Sequence, residues 1–153
     1  MPIPGTGLAP PPVAAYPAAM HRFPVTVYLE DTDMGGIVYH ANYFKYIERA
    51  RSDWAGRLGV DQAAMRRDTG RAFAVTEIAA RFTAPATLHD RLTVHTRLRS
   101  ATAARAVLDQ QVLADESGRA LFSATVTVVV LQPDGRPGRL PAALRRAGGG
   151  AAE

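Results

Sequence analysis

The chain has 153 residues, is 47% hydrophobic and has no cysteine. That is a one-domain length with an ordinary core, and it excludes structural disulfides, Cys-ligated zinc, iron–sulfur clusters and a thiol nucleophile. The net charge of +4 rests on arginine, with Lys45 the only lysine, but the arginines spread from Arg22 to Arg146 among interleaved acids, unlike the clustered stripe of a nucleic-acid binder.

Residues 1–20 hold six of the 11 prolines and no charged side chain. Pro10, Pro11 and Pro12 forbid a helix through the middle. The segment lacks the basic start and unbroken apolar stretch of a secretory signal, and no later run approaches the ~18 apolar residues of a membrane helix. It reads as a disordered arm, with Met20 a candidate translation start, and the expected location is cytoplasmic.

The folded domain is expected over 21–132. Phe23, Val25, Val27 and Leu29 alternate with Pro24, Thr26 and Tyr28, the period of a strand. An acidic loop with Gly35 and Gly36 follows. From about His40 to Leu58 the residues Tyr43, Ile47, Ala50, Trp54 and Leu58 form one apolar helical stripe. Gly59 suits the position just past the helix end. Asp61 suits the cap of a short second helix, which Gly70 stops. Four strand-like segments then run over 72–83, 91–100, 105–113 and 120–131, with a turn at Asp115-Glu116-Ser117-Gly118. Short connections between them imply antiparallel pairing, and one long helix against one sheet is an α+β layer fold. The valine-rich stretch 126–130 needs covering, since an exposed edge of that kind aggregates. Residues 133–153, rich in turn residues, are expected to be weakly structured apart from one helical turn over 141–147.

Familiar catalytic motifs are missing. Lys45 stands between Phe44 and Tyr46, which is no phosphate-binding loop. There is no Gly-x-Ser-x-Gly elbow and no His-Glu-x-x-His, and His21, His40, His89 and His95 have no local ligand spacing. Asp31-x-Asp33-x-Gly35-Gly36 starts like a calcium loop, but Gly35 offers no side-chain oxygen and Asn42 stands where the bidentate glutamate belongs. What remains is a carboxylate loop running into a helix start. Backbone N–H groups there lack intrahelical partners and suit a developing oxyanion, while a nearby carboxylate can attack a carbonyl or activate water. On these residues alone, capping roles for Asp31 and Asp33 remain open.

The string Tyr28-Leu29-Glu30-Asp31-Thr32-Asp33-Met34-Gly35-Gly36-Ile37-Val38-Tyr39-His40-Ala41-Asn42-Tyr43, followed by Tyr46-Ile47-Glu48-Arg49-Ala50-Arg51, resembles the signature of hotdog-fold acyl-CoA thioesterases. The closest type is the 4-hydroxybenzoyl-CoA thioesterase family, in its YbgC-type, Tol-Pal-associated branch. The resemblance spans roughly residues 22–140 and implies a helix wrapped by an antiparallel sheet. It further implies subunits paired through a continuous sheet, with active sites at the dimer interface and dimers often paired into tetramers.

By position, Asp33 matches the catalytic aspartate, as nucleophile or as general base. The His40 backbone N–H matches the group that polarises the thioester oxygen, and its side chain positions water or substrate. Tyr39 and Tyr43, with Gly35 and Gly36, are the substrate-binding candidates, although Tyr43 also starts the apolar stripe. Arg99 and Arg105 are the candidates for the coenzyme A phosphates. Glu48 reads as an ion-pair partner of Arg51 or Lys45. Met34, Tyr39, Trp54 and Ala74 are candidates to shape the acyl pocket. The implied reaction is acyl-CoA hydrolysis with no metal and no cofactor, coenzyme A being part of the substrate. The alternatives are acyl-carrier-protein thioesterase action and a non-catalytic thioester-binding or scaffold role.

Overall fold

The computed structural model describes residues 20–148, so the expected proline-rich arm lies outside the described residues apart from Met20. Strand β1 (His21–Thr26) leads through a single 3-10 turn (Leu29–Asp31) to helix α1 (Asn42–Arg57) and helix α2 (Gln62–Thr69). Strands β2 (Ala72–Phe82), β3 (Arg91–Ala101), β4 (Arg105–Ala114) and β5 (Ala120–Leu131) follow, then a two-residue β6 (Pro137–Gly138) and helix α3 (Ala142–Ala147). The sheet order is β1-β3-β4-β5-β2, antiparallel throughout, with β6 on β5. No helix among the described residues is long and apolar enough to cross a membrane.

The apolar stripe of α1 does what its spacing predicts. Tyr43, Ile47 and Ala50 are buried, with Tyr46 beside them, against Leu92, Val94, Leu108, Val112, Phe122 and Val126 of the sheet. Each fully buried Ile, Leu, Val or Phe among them stabilises the fold by about 1.5–3 kcal/mol. One polar group sits inside this contact. Gln110 is 0% exposed. Its Nε2 donates to the Ile47 carbonyl and to Thr96 Oγ1, both at 2.9 Å, while its Oε1 accepts from Arg51 at 2.9 Å. Central strand β5 is buried on both faces, so the 126–130 stretch is covered.

Asp61 accepts from the Ala64 N–H at 2.9 Å and caps α2, and Gly70, at φ +70°, ends it. Two expectations change. The first strand stops at Thr26, because Asp31 accepts the Tyr28 N–H at 2.8 Å and turns the chain. The weakly structured tail is corrected over 133–148. Leu140 and Leu144 are buried, the Leu140 N–H donates to the Ala103 carbonyl at 2.9 Å, and β6 extends the sheet.

The start of β1 is tied to α1 by His21 Nε2–H donating to Asp53 Oδ2 at 2.7 Å, and Arg57 donates to the same oxygen at 2.9 Å. Hydrogen bonds from His21 and then Arg57 hold the Asp53 carboxyl below the usual carboxylate range. The contribution is therefore present above about pH 4, the unfolded-state value, and is lost as pH falls through the lower folded value. Asp53→Asn is expected to lower the unfolding free energy by about 1 kcal/mol at neutral pH. Denaturation at a series of pH values should show that gap closing in acid. A gap that stays constant contradicts the pairing.

Candidate active site

Residues 28–41 form a compact loop at one end of the sheet. Thr32 and Val38 bridge antiparallel, and the Asp33 N–H donates to the Ile37 carbonyl at 3.0 Å. Between them Gly36 donates to the Asp33 carbonyl at 3.0 Å and takes φ +78°. This is a three-residue hairpin loop whose last residue needs a left-handed conformation, which glycine adopts without strain. Gly35 matters for another reason: a Cβ there would stand 3.1 Å from Asp33 Oδ1 and press on the carboxylate. That oxygen accepts the Gly35 N–H at 2.8 Å, which fixes the carboxylate on an exposed tip.

The base of the loop is fastened to the helix start. The Asp31 carbonyl accepts both the Tyr39 N–H at 2.9 Å and the buried Asn42 amide at 2.8 Å. Asn42 N–H then donates to the Tyr39 carbonyl at 2.8 Å. Ala41 occupies the N-cap position and gives no side-chain cap. The backbone N–H groups of His40 and Ala41 make no hydrogen bond among the described residues. A carboxylate tip and an uncapped helix N-terminus are thus held on one rigid loop. The His40 ring is exposed, 4.6 Å from the Tyr39 ring and 6.0 Å from that of Phe82. Asn42 and Phe82 were not singled out from the sequence as parts of the site. Asn42, a polar residue at the start of a helical stripe, was the available signal.

Asp33, Gly35, Gly36, Tyr39 and His40 therefore share the loop. Tyr43 does not join them at the surface. It is 4% exposed, its ring stacked on Phe122 at 5.1 Å, and burial raises its phenol pKa. It packs within the core cluster. Arg99 is paired within the chain. Its guanidinium donates to fully buried Asp109, at 2.6 Å to Oδ1 and 3.0 Å to Oδ2, beside Arg97 at 2.7 Å. A buried carboxylate must be paired, so Arg99 is committed to the outer face of the sheet. Arg105 is exposed, and its side chain has no partner among the described residues. Glu48 accepts from Ser52 at 2.8 Å rather than pairing with Arg51 or Lys45.

A second feature lies at the other end of the molecule. A cavity of about 170 Å³ opens between α1, α2, β2, β4, β5 and α3, lined by Trp54, Phe73, Ala74, Val128 and Leu144 with Arg51 among them. Burial pushes the Arg51 guanidinium below the usual arginine range. Trp54 and Ala74 line this cavity, while Met34 and Tyr39 belong to the loop. Along β2 the cavity wall, residues 73–75, and Phe82 beside His40 are separated by roughly 25 Å. In one chain the carboxylate and the cavity stand apart.

Two substitutions separate the arginines. Arg99→Ala should lower the unfolding free energy by about 2 kcal/mol by stripping a charged hydrogen bond from Asp109. Arg105→Ala should stay within about 0.5 kcal/mol of wild type. Chemical denaturation of both decides it, and equal stabilities would contradict the assignment.

The thioesterase-like superfamily matches this chain over residues 27–148. The acyl-CoA thioester hydrolase YbgC of Escherichia coli O157:H7 is 37% identical over 114 residues, covering 74% of this chain and 84% of that protein. The probable thioesterase of Bartonella henselae superposes with a TM-score of 0.75 at 33% identity, over 80% of this chain and 100% of the other. A 1,4-dihydroxy-2-naphthoyl-CoA thioesterase from Synechocystis shares the fold, with a TM-score of 0.79 at 24% identity over 88% and 98% of the two chains. The chain has the hotdog fold and belongs to the YbgC-type thioesterase family.

Proposed function

We propose that this member of the YbgC-type thioesterase family hydrolyses an acyl-CoA thioester, with Asp33 as the reacting carboxylate, at a site that two copies of the chain complete. The observation that carries the reading is the loop itself. An exposed carboxylate and two unbonded backbone N–H groups, at His40 and Ala41, are braced together through the Asp31 carbonyl.

The chemistry follows from those groups. As general base, Asp33 takes a proton from water while the oxygen attacks the thioester carbon. As nucleophile, it attacks that carbon directly, and water then cleaves the mixed anhydride. In both cases the carbonyl oxygen becomes an oxyanion, for which the helix N-terminus supplies hydrogen bonds and a favourable dipole. The C–S bond breaks, coenzyme A leaves as the thiol, and the acyl group leaves as the acid. No resident cofactor takes part in this reading.

Pairing of two copies answers the separation of loop and cavity. The sheet has two edges. On β1 the edge is short and Pro24 removes a donor. On β2 the edge is 11 residues long, free of proline, and exposes Val75 (45%) and Phe82 (48%). Such an edge invites another strand. A two-fold axis through the middle of β2 runs two copies antiparallel and continues the sheet. It sets the Asp33 loop of one copy beside residues 73–75 and the cavity of the other. It also turns the Arg105 end of the other copy toward the loop, where a phosphate of coenzyme A would lie. Within one chain β3, 11 residues long, holds Arg105 roughly 30 Å from that loop.

Thiol release from a panel of acyl-CoA esters tests the reading. Asp33→Asn preserves shape and removes the charge. The expected result is turnover of at least one ester by wild type and a loss of about 10²-fold or more in kcat for the variant, at unchanged thermal stability. Equal turnover by both proteins would remove Asp33 from the mechanism.

A further inference from the structure

The sequence shows helix α3 as a single turn with no apolar run, yet it is pinned at both ends. At its start Leu140 is buried and donates its N–H to Ala103 at 2.9 Å, and Arg145 Nε–H donates back to the Leu140 carbonyl at 3.2 Å. At its end Gly148 lies so close to β3 that a Cβ there would stand 2.9 Å from Ala101 Cβ. Between these anchors one apolar side chain reaches inward. Leu144 is 2% exposed and packs with Ala55 and Val60, alongside Trp54 and Phe73. The same side chain lines the cavity.

The cavity has a polar side and an apolar end. Glu48 and Arg51 are on one stretch of α1, and Ala55 is one turn beyond Arg51, next to Leu144. Arg51 is anchored through Gln110, so that side is rigid. Leu144 is the residue of the six-residue helix α3 that lines this end, beside Ala55, Trp54 and Phe73. At about 170 Å³ the space is of the order that holds one benzene-sized group.

We infer that Leu144 is a specificity-determining residue that ends the acyl cavity, so that α3 gauges the length of acyl chain the site accepts. The inference rests on the thioesterase reading above and adds the feature that selects among esters. Leucine and alanine differ by three side-chain carbons. Leu144→Ala opens that volume at the cavity end, and Leu144→Phe fills more of it.

The test is kcat/KM along the straight-chain acyl-CoA series from acetyl to palmitoyl, for wild type, Leu144→Ala, Leu144→Val and Leu144→Phe. With Leu144→Ala, preference for esters about two or three carbons longer than the wild-type optimum should rise about tenfold or more, the worth of added methylenes in an apolar pocket. Leu144→Val should move in the same direction by less, and Leu144→Phe should move the optimum shorter. A merely structural residue would scale all esters alike. Profiles of unchanged shape in the variants that remain folded therefore overturn the inference while leaving the thioesterase reading intact. A folded wild type that releases thiol from none of the straight-chain series but from an aromatic ester overturns the chain-length inference alone, and one that releases thiol from no ester at all overturns both.

Discussion

The position of α1 on the sheet is fixed by one buried amide. Apolar contacts hold the helix down, but leucine, valine and aromatic side chains tolerate sliding. Gln110 does not, because its donors reach a helix carbonyl and a strand hydroxyl at once and its oxygen takes a guanidinium. A satisfied polar group in a low-dielectric contact sets register, since any shift leaves it unpaired at a cost of about 1–3 kcal/mol. Both functional features depend on this register. The N-terminal end of α1 supplies the His40 and Ala41 N–H groups, and its later turns wall the cavity with Arg51 and Trp54.

The loop then converts a helix start into a reaction site. Its tightness comes from glycine, and its attachment from Asp31 and Asn42. None of these four residues reacts in the proposed mechanism. They keep the Asp33 carboxylate and the helix N-terminus in a constant relation, which is what preorganised catalysis requires. The apolar residues around them, Met34, Ile37, Tyr39 and Phe82, are exposed. A cluster of that kind marks a surface that something covers, and in the proposed pairing that is the second copy together with the acyl group.

The elements were legible because their signals are local. Period-two alternation marked the first strand, the stripe from Tyr43 to Trp54 marked α1, and Asp61 and Gly70 bounded α2 within a residue. The loop was legible as a motif, since Asp33, the two glycines and His40 are close in sequence. What escaped depends on pairings distant along the chain. Arg99 looked free until the β3–β4 register, shifted between Leu98 and Ser100, put it over Asp109. Leu140 and Leu144 stand among prolines, arginines and glycines, so no apolar run announced that α3 would pack. The cavity draws on six elements and has no signature in any one of them.

The central claim is that each site takes its carboxylate from one copy and its cavity from the other. Subunit complementation tests this most directly. Asp33→Asn and Ala74→Trp, the second chosen to fill the cavity, are each expected to be nearly inactive alone. Co-assembled at equal amounts, half of the dimers are mixed, and each mixed dimer has one site with both lesions and one with neither. The account predicts recovery to about a quarter of wild-type activity. A co-assembled preparation no more active than its two parents would place carboxylate and cavity in the same chain and contradict the account.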